Sequence, residues 1–208
     1  LEWGADKAVV HSVRSPAVPP GLVAVVEILR RMQLETFRWP VGRTTFQKLA
    51  YFATAEGLPT GLEFSRSSYG PFSPDLKLGV NRLINNGLVE ERHKGQMFEV
   101  LVGPTYEQMK GQLQTQLTKY EPSIDRIADL FLRKNTSQAE VAATVHYAAK
   151  ELSTRLRRPP TEQEVLAEVL EWKRRRKPPL KVDVVATCIR HLAVLGWIHV
   201  QASTAIPA

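Results

Sequence analysis

Apolar residues recur at helical spacing along most of the chain. Leu22, Val25, Val26, Leu29 and Met32 follow the i, i+3, i+4, i+7 rule and predict a first helix over about 22–32. Phe46, Leu49, Ala50 and Ala53 share one face and predict a second over about 45–56, with Thr44 or Thr45 to cap it and Gly57 to end it. Residues 58–72 lack a period and read as loop or short extended chain. Ser73-Pro74 then has the form of a helix start, a capping serine followed by proline at the first helical position. Leu76, Val80, Leu83 and Ile84 line the helix it opens, and Asn86-Gly87 stops it. Leu88–Arg92 and Met97–Val102 flank a turn at Lys94-Gly95 and predict a hairpin.

Beyond Gly103-Pro104 the pattern is nearly all helical. One helix is expected from Thr105 to Tyr120, broken by Pro122, and another carries Ile124, Ile127, Ala128 and Phe131. Ser137 with Glu140 has the spacing of a capping box ahead of Val141, Ala142, Val145 and Ala149; Thr161 with Glu164 repeats it ahead of Val165, Leu166, Val169 and Leu170. Pro159-Pro160 and Pro178-Pro179 separate these helices. A last helix buries Val184, Val185, Cys188, Leu192 and Leu195, Gly196 ends it, and Trp197–Val200 reads as a short strand. Val9, Val10 and Val13 allow one further short strand near the start.

The fold class is therefore mainly α with a small β-hairpin. Three helices followed at once by a hairpin is the order of a winged helix, so residues 21–104 read as a winged-helix-like half and 105–200 as a helical half. Residues 1–20, with Pro16, Pro19 and Pro20, read as a linker, and 201–208 as a frayed tail.

Composition narrows the class. Hydrophobic residues make up 43% and charged residues 24% of 208, as in an ordinary globular protein. No apolar run approaches the roughly 20 residues of a membrane helix, and no signal peptide is visible, so a cytoplasmic protein with no membrane partner is expected. The single cysteine, Cys188, cannot staple the fold and falls on an apolar helix face, where a thiol acts as a small hydrophobe. The net charge of +7 is uneven. Residues 1–104 carry 12 Lys and Arg against 10 Asp and Glu, and residues 105–208 carry 16 against 11. The excess bunches at Arg155, Arg157 and Arg158 and at Lys173, Arg174, Arg175, Arg176 and Lys177, an arrangement that attracts polyanions or serves as a solvated face.

Catalytic patterns are missing from the sequence. The histidines His11, His93, His146, His191 and His199 form no HxxxH pair and no zinc-spaced cluster with Cys188. Neither a Walker loop, nor GxGxxG, nor GxSxG occurs. Glu90 and Glu91 alternate faces on a predicted strand and cannot address one substrate atom together. His146 has no acidic partner at helical spacing, which makes it a packed histidine rather than a general base. A binding module without cofactor or metal is the expectation.

Several stretches resemble one family. Thr45–Phe52, with its Gln-Lys-Leu-Ala-Tyr-Phe core, is similar to the "QKLAYF" helix of the C-terminal region of DarG antitoxins, and more loosely to related small bacterial antitoxins and accessory proteins. Leu62–Phe64 followed by Tyr69–Ser73 matches that region's "F…YGPYS" element. Val13–Pro16 through Gly21-Leu22 resembles the link that follows the DarG macrodomain. Ala143–Tyr147 looks like "ATVHW", Glu171–Lys173 with Lys177 like "W…RK", and Leu195–Trp197 like the terminal "LGW". The resemblance runs in order from about Val13 to Trp197.

It implies an antitoxin that binds DarT, an NAD-dependent enzyme that ADP-ribosylates single-stranded DNA, and blocks it by occupying the DNA site. The 12 residues ahead of the match hold no macrodomain, so its deribosylating activity is not assigned to this chain; such a domain would lie upstream in a full-length protein. The basic balance confines any DNA mimicry to local carboxylates such as Glu90, Glu91 and Glu99 near the hairpin. Arg66, Tyr69 and Phe72 complete the expected partner surface, because arginine and aromatic side chains are enriched at binding hot spots. Tyr69 and Phe72 as core plugs remain the competing expectation. A second function stays open: a winged-helix DNA-binding operon regulator using Lys77 and Arg82 on the third helix, Lys94 in the wing, and the cations at Lys173–Lys177.

Overall fold

The first predicted stripe forms a helix buried on almost every side. In the computed structural model, which describes residues 17–95 and 97–204, α1 spans Pro20–Leu34 and buries an unbroken run from Gly21 to Leu29. A helix so apolar all round belongs at the centre of a core. It lies between α5 (Gln114–Phe131) and α2 (Arg43–Ala55). Gly21 permits a close approach to the chain after α2: a Cβ there would stand 2.4 Å from the carbonyl carbon of Pro59. The Val9–Val13 strand and most of the linker at 1–20 lie outside the described residues.

The chain is mainly helical with small antiparallel sheets. After α2 come two three-residue strands, β1 (Ser65–Ser67) and β2 (Gly70–Phe72), then α3 (Leu76–Asn85) and the expected hairpin of β3 (Val89–Lys94) and β4 (Met97–Val102). The hairpin register pairs Glu91 with Val100 and Arg92 with Glu99. Val41 and Gly42, just ahead of α2, add to the outer side of β4: Val100 N–H donates to Val41 O at 2.8 Å, and Gly42 bridges to Glu99. α4 (Tyr106–Gln112), α6 (Thr136–Leu156), α7 (Glu162–Trp172) and α8 (Val182–Val194) follow. α6 packs on α2, α7 and α8, and one hydrophobic core runs from α1 through to Trp197 and Ile198.

Several sequence expectations are corrected. Ser73 does not cap α3. The helix begins at Leu76, and the Ser73 hydroxyl is buried with no hydrogen-bond partner. Pro122 does not break its helix; it sits in mid-α5 on the exposed side, where the Thr118 carbonyl that loses its N–H partner faces water. The break falls earlier, between α4 and α5 at Leu113. The capping box of α6 is Asn135 with Gln138, two residues before the expected Ser137 and Glu140, and Glu140 is buried instead. Thr161 and Glu164 do form the box of α7. Trp197–Val200 is not a strand, and Gln201, placed in the tail, pairs as a parallel bridge with Thr161. Cys188 is partly buried on α8, and burial pushes its thiol up to about 12, so it stays protonated and inert.

Gly103 shows how tightly the hairpin closes. A Cβ at this position would lie 2.1 Å from Gly87 O, and Gly103 N–H donates to Leu88 O at 2.8 Å. Gly103→Ala is therefore expected to lose roughly 2–3 kcal/mol of stability through overpacking against backbone. Gly111→Ala, where a Cβ meets open space inside α4, should instead gain up to about 1 kcal/mol. Urea unfolding of the two variants separates steric closure from backbone entropy.

Candidate functional site

Four elements converge on an open cleft of about 420 Å³. The start of α2 gives Phe46, Gln47 and Lys48, the β1–β2 turn gives Tyr69, β2 and the loop after it give Phe72 and Ser73, α3 gives Leu76, Lys77 and Val80, and the hairpin gives Glu91 and Val100. Phe46, Leu76 and Val100 make a buried apolar floor. Tyr69 and Phe72 stand at the mouth, 66% and 41% exposed. These two are thus not core plugs: most of the Tyr69 surface is open to solvent.

The turn that presents them is held from below by two buried ammonium groups. Lys48 Nζ donates to Pro71 O at 2.8 Å, and Lys173 Nζ donates to Ser68 O at 2.5 Å. Lys48 is only 1% exposed. Burial pushes it down to about 8, helped by the charge of Lys173 and opposed by Glu140. Lys173 is lowered too, first by burial, against the opposing hydrogen bond to Glu140 Oε1 at 2.8 Å. The same oxygen lies 3.4 Å from Arg176 Nε. Gly70 makes the turn possible. Its φ is +87°, and a Cβ there would sit 2.7 Å from Thr144 Oγ1.

The expected site residues divide. Tyr69, Phe72 and Glu91 line the cleft, with Lys77 from the alternative set. Glu91 is not a free carboxylate: Arg43 grips it with Nε at 2.6 Å and Nη2 at 2.5 Å, and this bidentate bond holds its pKa below the usual carboxylate range. Glu99 is mostly buried, 3.5 Å from Arg38 Nη1, while Glu90 is exposed on β3 opposite Leu101. By the hairpin register Glu91 faces the opposite side from Glu90 and Glu99. Arg66 lies away from the cleft, bonded to Glu151 and Glu168 and stacked 4.8 Å over the Trp172 ring. Arg82 is exposed on α3, and Lys94 ends β3. Lys173 is consumed by the buried cluster, Arg174 pairs with Glu171 at 3.2 Å, Arg176 is partly buried, and Arg175 and Lys177 are exposed.

Sequence reasoning missed Lys48, Glu140 and Ser73. A lysine in the middle of an apolar helical face was the available signal for Lys48; nothing local marks its partner 92 residues on, since the ion cluster joins three separate elements. A second buried network lies behind the cleft. Tyr51 Oη and His146 Nδ1 are hydrogen-bonded at 2.8 Å, and Phe52 meets Trp197 edge-on with ring centres 5.0 Å apart. Burial, then the charges of Lys150 and Arg126, pushes His146 down to about 3, so it is neutral and sealed away from any substrate. No group of three or more His, Cys, Asp or Glu residues could hold a metal among the described residues, and none of the helices there is long and apolar enough to cross a membrane. Compared with known proteins, the chain matches no family model and no curated protein.

Proposed function

We propose that the chain is a non-catalytic interaction domain that neutralises a DarT-type DNA ADP-ribosyltransferase by covering its DNA-binding surface. The observation that carries this reading is the cleft. It offers an apolar floor flanked by two exposed aromatic side chains on a turn that is already fixed. Rigid aromatic anchors give contact area at low entropic cost, which is what a protein-binding hot spot requires. The stretches that resemble DarG also touch one another in space: Lys48 reaches the Tyr69–Ser73 stretch, Tyr51 reaches His146, Phe52 reaches Trp197, and Tyr147 meets Trp172 edge-on with ring centres 5.6 Å apart. Most of these residues hold the fold. Tyr69 and Phe72 are the aromatic members of those stretches that stand exposed, and both line the cleft.

The test mixes the purified chain with a DarT-type enzyme and follows NAD-dependent labelling of a single-stranded oligonucleotide, with size-exclusion chromatography alongside. Stoichiometric inhibition and a stable complex are expected. Tyr69→Ala with Phe72→Ala should weaken the complex by about 100-fold or more while leaving the unfolding midpoint nearly unchanged, because both side chains are largely outside the core. Full toxin activity with no complex would sink the reading.

The winged-helix alternative draws support from the Val41–Gly42 pairing on β4, which sets a third short strand beside the hairpin. Its recognition helix fits poorly. The exposed positions of α3 include Leu78 and Ile84, and Lys77 and Arg82 are its two cations.

A further inference from the structure

We propose that the recess between the β1–β2 turn and the end of α7 binds the phosphodiester backbone of single-stranded nucleic acid. The recess measures about 600 Å³ and lies apart from the aromatic cleft, with no lining residue in common. Arg66, Lys173, Arg174, Arg175 and Arg176 line it, against one lining carboxylate, Glu171. The neighbouring carboxylates are already engaged. Glu151 and Glu168 hold Arg66, Glu140 is shared by Lys173 and Arg176, and Glu171 takes Arg174. Arg175 and, just beyond, Lys177 are exposed with no carboxylate within ion-pair distance among the described residues. The local balance is therefore short of negative charge.

Two features make this more than a solvated face. Two of the lining cations are placed by the framework: the Arg66 guanidinium lies on the Trp172 ring, and Arg176 Nη1 donates to Pro178 O at 2.7 Å, which fixes its fork. Arginine forks match phosphate oxygens in pairs, and cations held in position lose little entropy on binding. The partly buried Trp172 also gives the recess an apolar wall on which a sugar or base can rest. A recess between a turn and a helix end admits one backbone strand. A duplex would call for a protruding helix, and α3 directs Lys77 to the other cleft.

Fluorescence anisotropy with labelled oligothymidylate tests the assignment. Binding at low salt is expected, with log K falling against log salt at a slope of roughly −2, as for about three phosphate contacts on a single strand. Arg175→Glu with Lys177→Glu should weaken it about tenfold or more and flatten the slope, because the two cations without a carboxylate partner, in and just beyond the recess, are reversed. Lys77→Glu with Arg82→Glu should leave it unchanged within about twofold. Circular dichroism of both double variants checks that they fold. Absence of binding at low salt overturns the proposal, and so does binding indifferent to Arg175 and Lys177. Tighter binding to duplex that depends on Lys77 and Arg82 overturns it in favour of a helix in the major groove. Binding to phosphatidylserine vesicles without binding to the oligonucleotide overturns it in favour of a membrane surface. None of these results depends on whether the chain inhibits a toxin.

Discussion

Glu140→Gln is expected to cost about 3 kcal/mol or more of folding stability, which is large for one change at a residue that could pass for a helix cap. The carboxylate is buried, and Lys173 and Arg176 both depend on it. Among the described residues no second carboxylate lies within ion-pair distance of either. Neutralising Glu140 leaves a buried ammonium with two carbonyl-type acceptors and a neighbouring lysine of the same sign. Removing one member of a buried pair is much worse than removing both, because the surviving charge has lost its compensation. Glu140→Leu combined with Lys173→Met should thus return to within about 1–2 kcal/mol of the parent. Urea unfolding of the two single variants and the double variant measures the coupling directly. Additive losses would show that the cluster is solvated in solution and that its charges do not depend on one another.

The second large effect is acid sensitivity. His146 titrates at about 3 in the folded chain, below the ordinary histidine value of 6.5. Between those values the unfolded chain binds a proton that the folded chain refuses, so stability rises with pH in this window. The contribution is complete above about pH 6.5 and is lost as pH falls towards 3, amounting to roughly 5 kcal/mol over the whole span. From about pH 7 to about pH 5 the loss is roughly 2 kcal/mol. Glu91 and Glu168 also have lowered values and also lose stability in acid, but their losses fall mainly below the ordinary carboxylate value of 4.5. His146→Gln, which still offers Tyr51 a hydrogen-bond acceptor, should flatten stability between pH 7 and 5 and leave the later acid loss in place. A variant that follows the parent curve through that window would show that another group carries the effect.

The helices were legible because burial writes a 3.6-residue period into sequence. α1, α2 and the Thr161 capping box could be read this way, and so could the β3–β4 hairpin, whose glycine turn is a local signal. The errors share a cause: a local pattern was satisfied by something distant. Pro122 reads as a breaker, but the apolar stripe of Leu117, Ile124, Ile127 and Phe131 continues past it and outweighs one missing hydrogen bond. Glu140 reads as a cap, but Asn135 and Gln138 make the cap and Glu140 meets a lysine 33 residues away. Ser73 reads as a cap, yet its hydroxyl is buried at the cleft without a partner. As for the site, residue types suggested Tyr69 and Phe72, and the sequence could not say whether they faced inward. Three glutamates near one hairpin looked like a patch. Strand alternation turns Glu91 to the other face, and Arg43 and Arg38, which approach from a different segment, engage Glu91 and Glu99.

The turn that displays Tyr69 and Phe72 draws one support from α2 and the other from just past α7, some 125 residues further along the chain. During synthesis the aromatic residues leave the ribosome long before Lys173 does. A nascent chain that stops short of Lys173 carries the anchors without the clamp that fixes them. The turn is therefore fully clamped only once the C-terminal helices have docked, so the order of translation makes the display of Tyr69 and Phe72 one of the last features of the fold to be completed.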